Sequence, residues 1–171
     1  MTWTKRSFAT AAIGLLLASS SSVPAAAESG SFTDPDDVNL PLDLKTVTHD
    51  NTGSSVLYTV ETYDPFEDRQ ADFKWALDTD NDQKLDRLVS VEFEGGKVVA
   101  KVEDADENEL GSATTERAGP NGLRISFSRD LLGTASYQYR VTAVTDRNGN
   151  DEDDRGETDV APDTGFHPHR F

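Results

Sequence analysis

The chain has 171 residues, with 32 acidic side chains against 16 basic ones and a formal net charge of −16. That balance disfavours nucleic acid and anionic membrane surfaces as partners. No cysteine is present, so no disulfide can staple the fold.

Residues 1–27 read as a removable secretory leader. Lys5 and Arg6 give it a positive start, residues 11–18 an apolar run, and Ala25-Ala26-Ala27 a small-residue cleavage site. The apolar run is too short to cross a bilayer comfortably. Without the leader 144 residues remain at a net charge of −18, because Lys5 and Arg6 leave with it. That length suits one domain with a real core. The expectation is a secreted, soluble monomer with no membrane insertion. Residues 28–37 are small, polar and acidic and read as a flexible arm.

The domain proper is expected over residues 38–145. In 38–48, Leu40, Leu42 and Leu44 alternate with Pro41, Asp43 and Lys45, which reads as an edge strand because Pro41 cannot donate a hydrogen bond. His49-Asp50-Asn51-Thr52-Gly53 has turn chemistry. Val56, Tyr58 and Val60 alternate in a second strand. A charged loop over 64–72 carries Phe66, expected to pack back onto the core. Strands follow at 73–77 and 88–93, and Glu94-Gly95-Gly96-Lys97 signals a hairpin into a strand at 98–102. After an acidic turn at 104–109 comes a weak strand over 110–116, then a break at Ala118-Gly119-Pro120-Asn121-Gly122. Leu123, Ile125 and Phe127 mark a clear strand, residues 129–133 a helical turn ending at Gly133, and Tyr137, Tyr139, Val141 and Ala143 the last strong strand. Residues 146–171 form an acidic C-terminal tail without a clear period. About eight short strands and no ordinary helix predict an all-β, antiparallel, jelly-roll-like sandwich, with a closed barrel as the competitor.

The most informative stretch is Asp78-Thr79-Asp80-Asn81-Asp82-Gln83-Lys84-Leu85-Asp86, between the strands at 73–77 and 88–93. Carboxylates held about 4 Å apart repel by about 4 kcal/mol at an effective dielectric near 20. A tight turn keeps them close unless a cation sits among them. Calcium takes roughly six to eight oxygen ligands in a forgiving geometry. Asp78, Asp80, Asp82 and Asp86 are the candidate side-chain ligands, with Lys84 offering its carbonyl. The alternative is an acidic hairpin turn on an acidic protein. Asp146, Asn148, Asn150 and Asp154 repeat the spacing and are a possible second metal site, or an Asn-Gly turn in the tail. Asp104, Asp106 and Asn108 begin the pattern, but Ser112 stands where the closing acid belongs, which favours a turn.

The acid loop resembles the Asp-x-Asp-x-Asp-Gly-x-x-Asp calcium loop of FG-GAP repeats, with kinship to thrombospondin type 3 and dockerin loops. Gln83 replaces the glycine, at a site where positive φ costs other residues roughly 1–2 kcal/mol. More broadly, residues 38–165 resemble a DOMON-like or family 9 carbohydrate-binding-module-like sandwich. The resemblance rests on Phe73-Lys74-Trp75-Ala76-Leu77-Asp78-Thr79-Asp80, Leu123-Arg124-Ile125-Ser126-Phe127, Leu131-Leu132-Gly133, Tyr137-Gln138-Tyr139-Arg140-Val141 and Asp159-Val160-Ala161-Pro162-Asp163-Thr164-Gly165. It implies a jelly-roll-like sandwich with sugar or cofactor binding. Sugar-binding members grip their ligand between exposed tryptophans; here Trp75 falls in phase with Phe73 and Leu77, a core position.

Other chemistry is thinner. His167-Pro168-His169 is a candidate contact for a transition metal or a disordered end, and His49 stands alone in its turn. No G-x-S-x-G or H-E-x-x-H occurs. The expectation is a secreted calcium-binding module that does not catalyse and whose partner is an extracellular polymer, envelope component or protein. The alternatives are a small secreted hydrolase using loop carboxylates and an inert acidic structural or inhibitory domain.

Overall fold

A computed structural model describes residues 29–38, 42–68, 71–94, 97–134, 136–146 and 155–170. Two antiparallel sheets pack face to face. The first contains β1 (Ser29–Thr33), β2 (Leu44–Thr52), β3 (Ser55–Thr62), β9 (Gly122–Ser128) and β8 (Thr114–Arg117), in that spatial order. The second runs β11 (Arg155–Ala161), β10 (Ser136–Asp146), β4 (Ala71–Asp78), β5 (Arg87–Glu94), β6 (Lys97–Asp104) and β7 (Glu109–Ser112). The last strand, β12 (His167–Arg170), pairs with residues 136–139 of β10, and β11 pairs with residues 141–146 on the same edge. The all-β, antiparallel two-sheet reading stands. A 3-10 turn at Arg129–Leu131, followed by Gly133 at φ 67°, is where the helical turn was expected.

Alternation explains the core. In β3 the inward set Val56, Tyr58 and Val60 is fully buried. Phe73, Trp75 and Leu77 from β4 meet Val89 and Val91 from β5, and Tyr137, Tyr139, Val141 and Ala143 from β10. Trp75 is at 0 % exposure and stacks on Tyr58 with ring centroids 5.7 Å apart, so its in-phase position is a core position. Phe66 does fold back, packing edge-on against Phe73 at 5.4 Å.

The described strands number twelve rather than about eight, for local reasons. The weak strand over 110–116 divides: β7 pairs with β6 in one sheet and β8 with β9 in the other. Between them Ala113 donates its N–H to Ala100 O. Residues 29–33, part of the segment that composition reads as an arm, pair along β2. The tail contributes β11 and β12.

A further correction concerns residues 38–53. The strand begins at Leu44 and continues through His49-Asp50-Asn51, which turn chemistry had assigned to a bend. Val47, His49 and Asn51 form one buried face, so the alternation persists with polar residues inside. The actual hairpin loop is Gly53-Ser54, since Thr52 pairs with Ser55. Gly53 adopts φ 62° at the first central position, where a type II′ turn needs glycine. β2 is also not an edge, because β1 covers it.

Candidate metal centre

The acid loop spans the turn between β4 and β5, two central strands of the larger sheet. Asp78 ends β4 at 0 % exposure, while Asp80 and Asp82 are exposed. One carboxylate oxygen from each of these three lies within 4.8 Å of the others. Oxygens around one calcium sit at about 2.3–2.6 Å from it, so opposite ligands are about 5 Å apart. The three acids are therefore close enough together to hold a metal ion.

The loop's backbone curls around Asp78. Its Oδ1 accepts the N–H groups of Asn81 (2.7 Å) and Asp82 (3.2 Å), and its Oδ2 that of Gln83 (2.9 Å). Asp80 Oδ1 accepts from Asp82 N at 3.1 Å. These bonds require sharp bends, and Asn81 and Gln83 adopt φ 65° and 69°. Gln83 thus takes the left-handed conformation for which related loops use glycine. Gln138 of β10 clamps both bends: it accepts from Gln83 Nε2 at 3.1 Å and donates to Asn81 Oδ1 at 3.0 Å.

The other two predicted members behave differently. Asp86 is not among the three converging acids; its Oδ2 accepts from Thr79 N (2.7 Å) and Thr79 Oγ1 (2.8 Å), closing the base of the loop. Burial pushes the Asp86 carboxyl up, but the Thr79 and Asp80 hydrogen bonds and Arg87 outweigh it and bring it below the usual range. Lys84 donates its N–H to Asp82 Oδ1 at 2.9 Å, and its ammonium pairs with Asp82 Oδ2. That hydrogen bond, with the charge of Asp82 behind it, raises the Lys84 pKa.

In the second predicted site, Asn148, Asn150 and Asp154 lie outside the described residues, as does the side chain of Asp146. Asp104 behaves as a turn residue, its Oδ1 accepting from Asp106 N and Asn108 N, both at 2.9 Å.

Two clusters escaped sequence reasoning. The first joins Asp34, just past β1, with Asp37 and with Asp159 of β11; one oxygen of each lies within 4.8 Å of the others. Asp34 is 4 % exposed, Asp159 3 % and the neighbouring Asp43 2 %. Burial pushes Asp34 up to about 7, helped by the charges of Asp159, Asp163, Asp37 and Asp43. Burial likewise lifts Asp43 to about 6 and raises Asp159, though the Leu44 and Val160 N–H groups partly oppose it at Asp159.

The second cluster gathers the chain's three histidines. His49 of β2 lies with its ring centroid 4.2 Å from His169 and 5.6 Å from His167, both of β12. His49 Nδ1 and Tyr139 OH are 2.8 Å apart, and Asn51 Nδ2 contacts His169 Nε2. His49 is therefore neither in a turn nor alone. Its ring lies over Gly30 of β1, where a Cβ would meet it at 2.9 Å. Burial, with His49 and His167 nearby, pushes His169 down to about 4. The three rings do not form a metal-binding set among the described residues; they pack with Tyr137 and Tyr139 as a polar seam between the sheets.

No family model matches this chain, and no curated protein or solved structure matches it either. The resemblance to carbohydrate-binding sandwiches therefore reduces to the architecture itself: two antiparallel sheets with acid clusters that can hold a metal ion.

Proposed function

We propose that this chain is a calcium-stabilised β-sandwich that acts outside the cell as a non-catalytic binding or structural module. The observation that carries the reading is the convergence of Asp78, Asp80 and Asp82 within 4.8 Å at a turn between two central strands. All-oxygen carboxylate sets suit hard divalent ions. The lack of cysteine supports it, because a secreted domain without disulfides gains from another clamp. At a hundredfold excess over its dissociation constant, an ion bound to the native state alone adds about 2.7 kcal/mol.

The ligand class we propose is an extracellular polymer, an envelope component or a protein, bound by a monomer. Trp75 lies in the core and offers no platform for a sugar ring. A carbohydrate ligand would therefore have to be held by polar loops rather than by tryptophan stacking.

Thermal melts in millimolar calcium and in chelator test the reading. The expected difference is roughly 5–10 °C for a domain of this size. Asp80→Ala should shrink that difference; identical midpoints with and without calcium would remove the basis for the proposal.

A further inference from the structure

We propose that Asp34, Asp37 and Asp159 form a second calcium site, which pins the segment after β1 to β11 and so ties the two ends of the domain together. The site does not rest on the loop at residues 78–86, since the two share no residue.

Two independent observations carry it. The first is convergence: three carboxylates separated by up to 125 positions in sequence present oxygens within 4.8 Å of one another. The second is that a buried oxygen of the triad is left without a partner. Asp34 Oδ2 is buried and makes no hydrogen bond, and the same holds for Asp43 Oδ1 beside it. A buried carboxylate oxygen without a partner is costly. None of the ion pairs among the described residues reaches these acids. Lys45 lies over the Tyr63 ring, and Arg140 donates to the Asp163 carbonyl. A single proton can neutralise one of the carboxyl groups, whereas a divalent ion meets several at once.

The surrounding backbone fixes the acids in place. Asp34 N donates to Lys45 O at 3.0 Å, and Tyr63 OH donates to Asp34 O at 3.0 Å. Asp159 is oriented by two backbone donors: Leu44 N to Oδ2 and Val160 N to Oδ1, both at 2.6 Å. Tyr63 N donates to Asp43 O at 2.9 Å. Asp37, the exposed member, gives the ion a route in. The donor set has no nitrogen or sulfur, which disfavours zinc and copper. Its irregular origin, one loop and one strand, suits the adaptable coordination of calcium better than the strict octahedron of magnesium.

The test is a calorimetric titration of chelator-treated protein with calcium chloride, on a background in which Asp80→Ala and Asp82→Ala have disabled the loop. One equivalent of calcium should still bind. Adding Asp37→Asn should weaken it at least tenfold, and Asp159→Asn should do the same. Asp37 is exposed, so its variant keeps the fold and decides the matter if Asp159→Asn is too unstable to handle. Terbium gives a second readout: Tyr63 contacts Asp34, so terbium here should luminesce on tyrosine excitation and lose most of that signal in Tyr63→Phe. Absence of calcium binding on the loop-disabled background, or an isotherm unchanged by Asp37→Asn, overturns the proposal. If the unaltered protein binds a single equivalent that survives loop disabling but not Asp37→Asn, the loop reading fails and this site stands.

Discussion

In the loop at residues 78–86, the most buried carboxylate, Asp78, accepts three backbone N–H groups, so that each of its oxygens has a donor. At the other acid cluster, Asp34 and Asp43 each keep a buried oxygen with no partner at all. Both sites collect like charges. In the loop, local backbone donors and the Lys84 ammonium, paired with Asp82, offset the repulsion. In the cluster, residues from opposite ends of the chain meet with few donors between them, and the strain appears as carboxyl groups pushed toward neutrality. A local acid loop can thus be partly self-sufficient, while a cluster assembled by topology depends on what it captures.

The largest effect that separates the two comes from Asp78→Ala. It strips an acceptor from three N–H groups and should cost about 3 kcal/mol in chelator as well as in calcium, read by urea unfolding. If the loss appeared only in calcium, the loop would not be self-sufficient.

The pH profile of the metal-free protein comes next. His169, held down to about 4, is neutral in the fold where the unfolded chain would already be protonated. Its contribution is whole above pH 6.5 and is lost as the pH falls from there to about 4, amounting to about 3 kcal/mol at most. Asp34 has the opposite sign. Its folded pKa of about 7 exceeds the ordinary 3.8, so its contribution is whole below 3.8 and lost as the pH rises to about 7. The two slopes oppose each other in chelator. Denaturant midpoints across this range should fall with acid in Asp34→Asn and rise with acid in His169→Gln.

A smaller effect tests the cluster directly. At neutral pH in chelator, Asp34→Asn removes a buried charge and should stabilise the protein by about 1–2 kcal/mol, whereas in calcium it should destabilise. Loss of stability in both conditions would mean that the acid is held for packing alone. Least of all, Gln83→Gly should relieve the φ of 69° and raise stability by about 0.5–1 kcal/mol, after allowing for the exposed bond to Gln138.

What the sequence disclosed follows the same division. Strands with apolar alternation, such as 56–60, 73–77, 123–127 and 137–143, stand where the period placed them, because each carries its own burial pattern. The acid loop was legible because its spacing is local, and even the left-handed bend at Gln83 was foreseeable from the missing glycine. The strand through His49-Asp50-Asn51 was hidden because two of its inward residues, His49 and Asn51, are polar, and their contacts with Tyr139 and His169 lie far along the chain. β1, β11 and β12 were hidden for a related reason: short, polar segments gain strand structure from the neighbour they join, not from their own composition. The Asp34 cluster left no local signal. Its one hint was a surplus of acids at both ends of the domain, which by itself reads as solubility.

The register of β10 bears on how the chain acquires this structure. Trp75 and Val141 lie side by side in adjacent strands, yet 65 residues of polypeptide separate them. A nascent chain on the ribosome therefore makes Trp75 and its aromatic neighbours long before the strand that shelters them. Until β10 emerges, the apolar side of β4 has no second flank, and folding must wait for a late, collective closure. Proteases and holding chaperones would meet this protein chiefly in that interval.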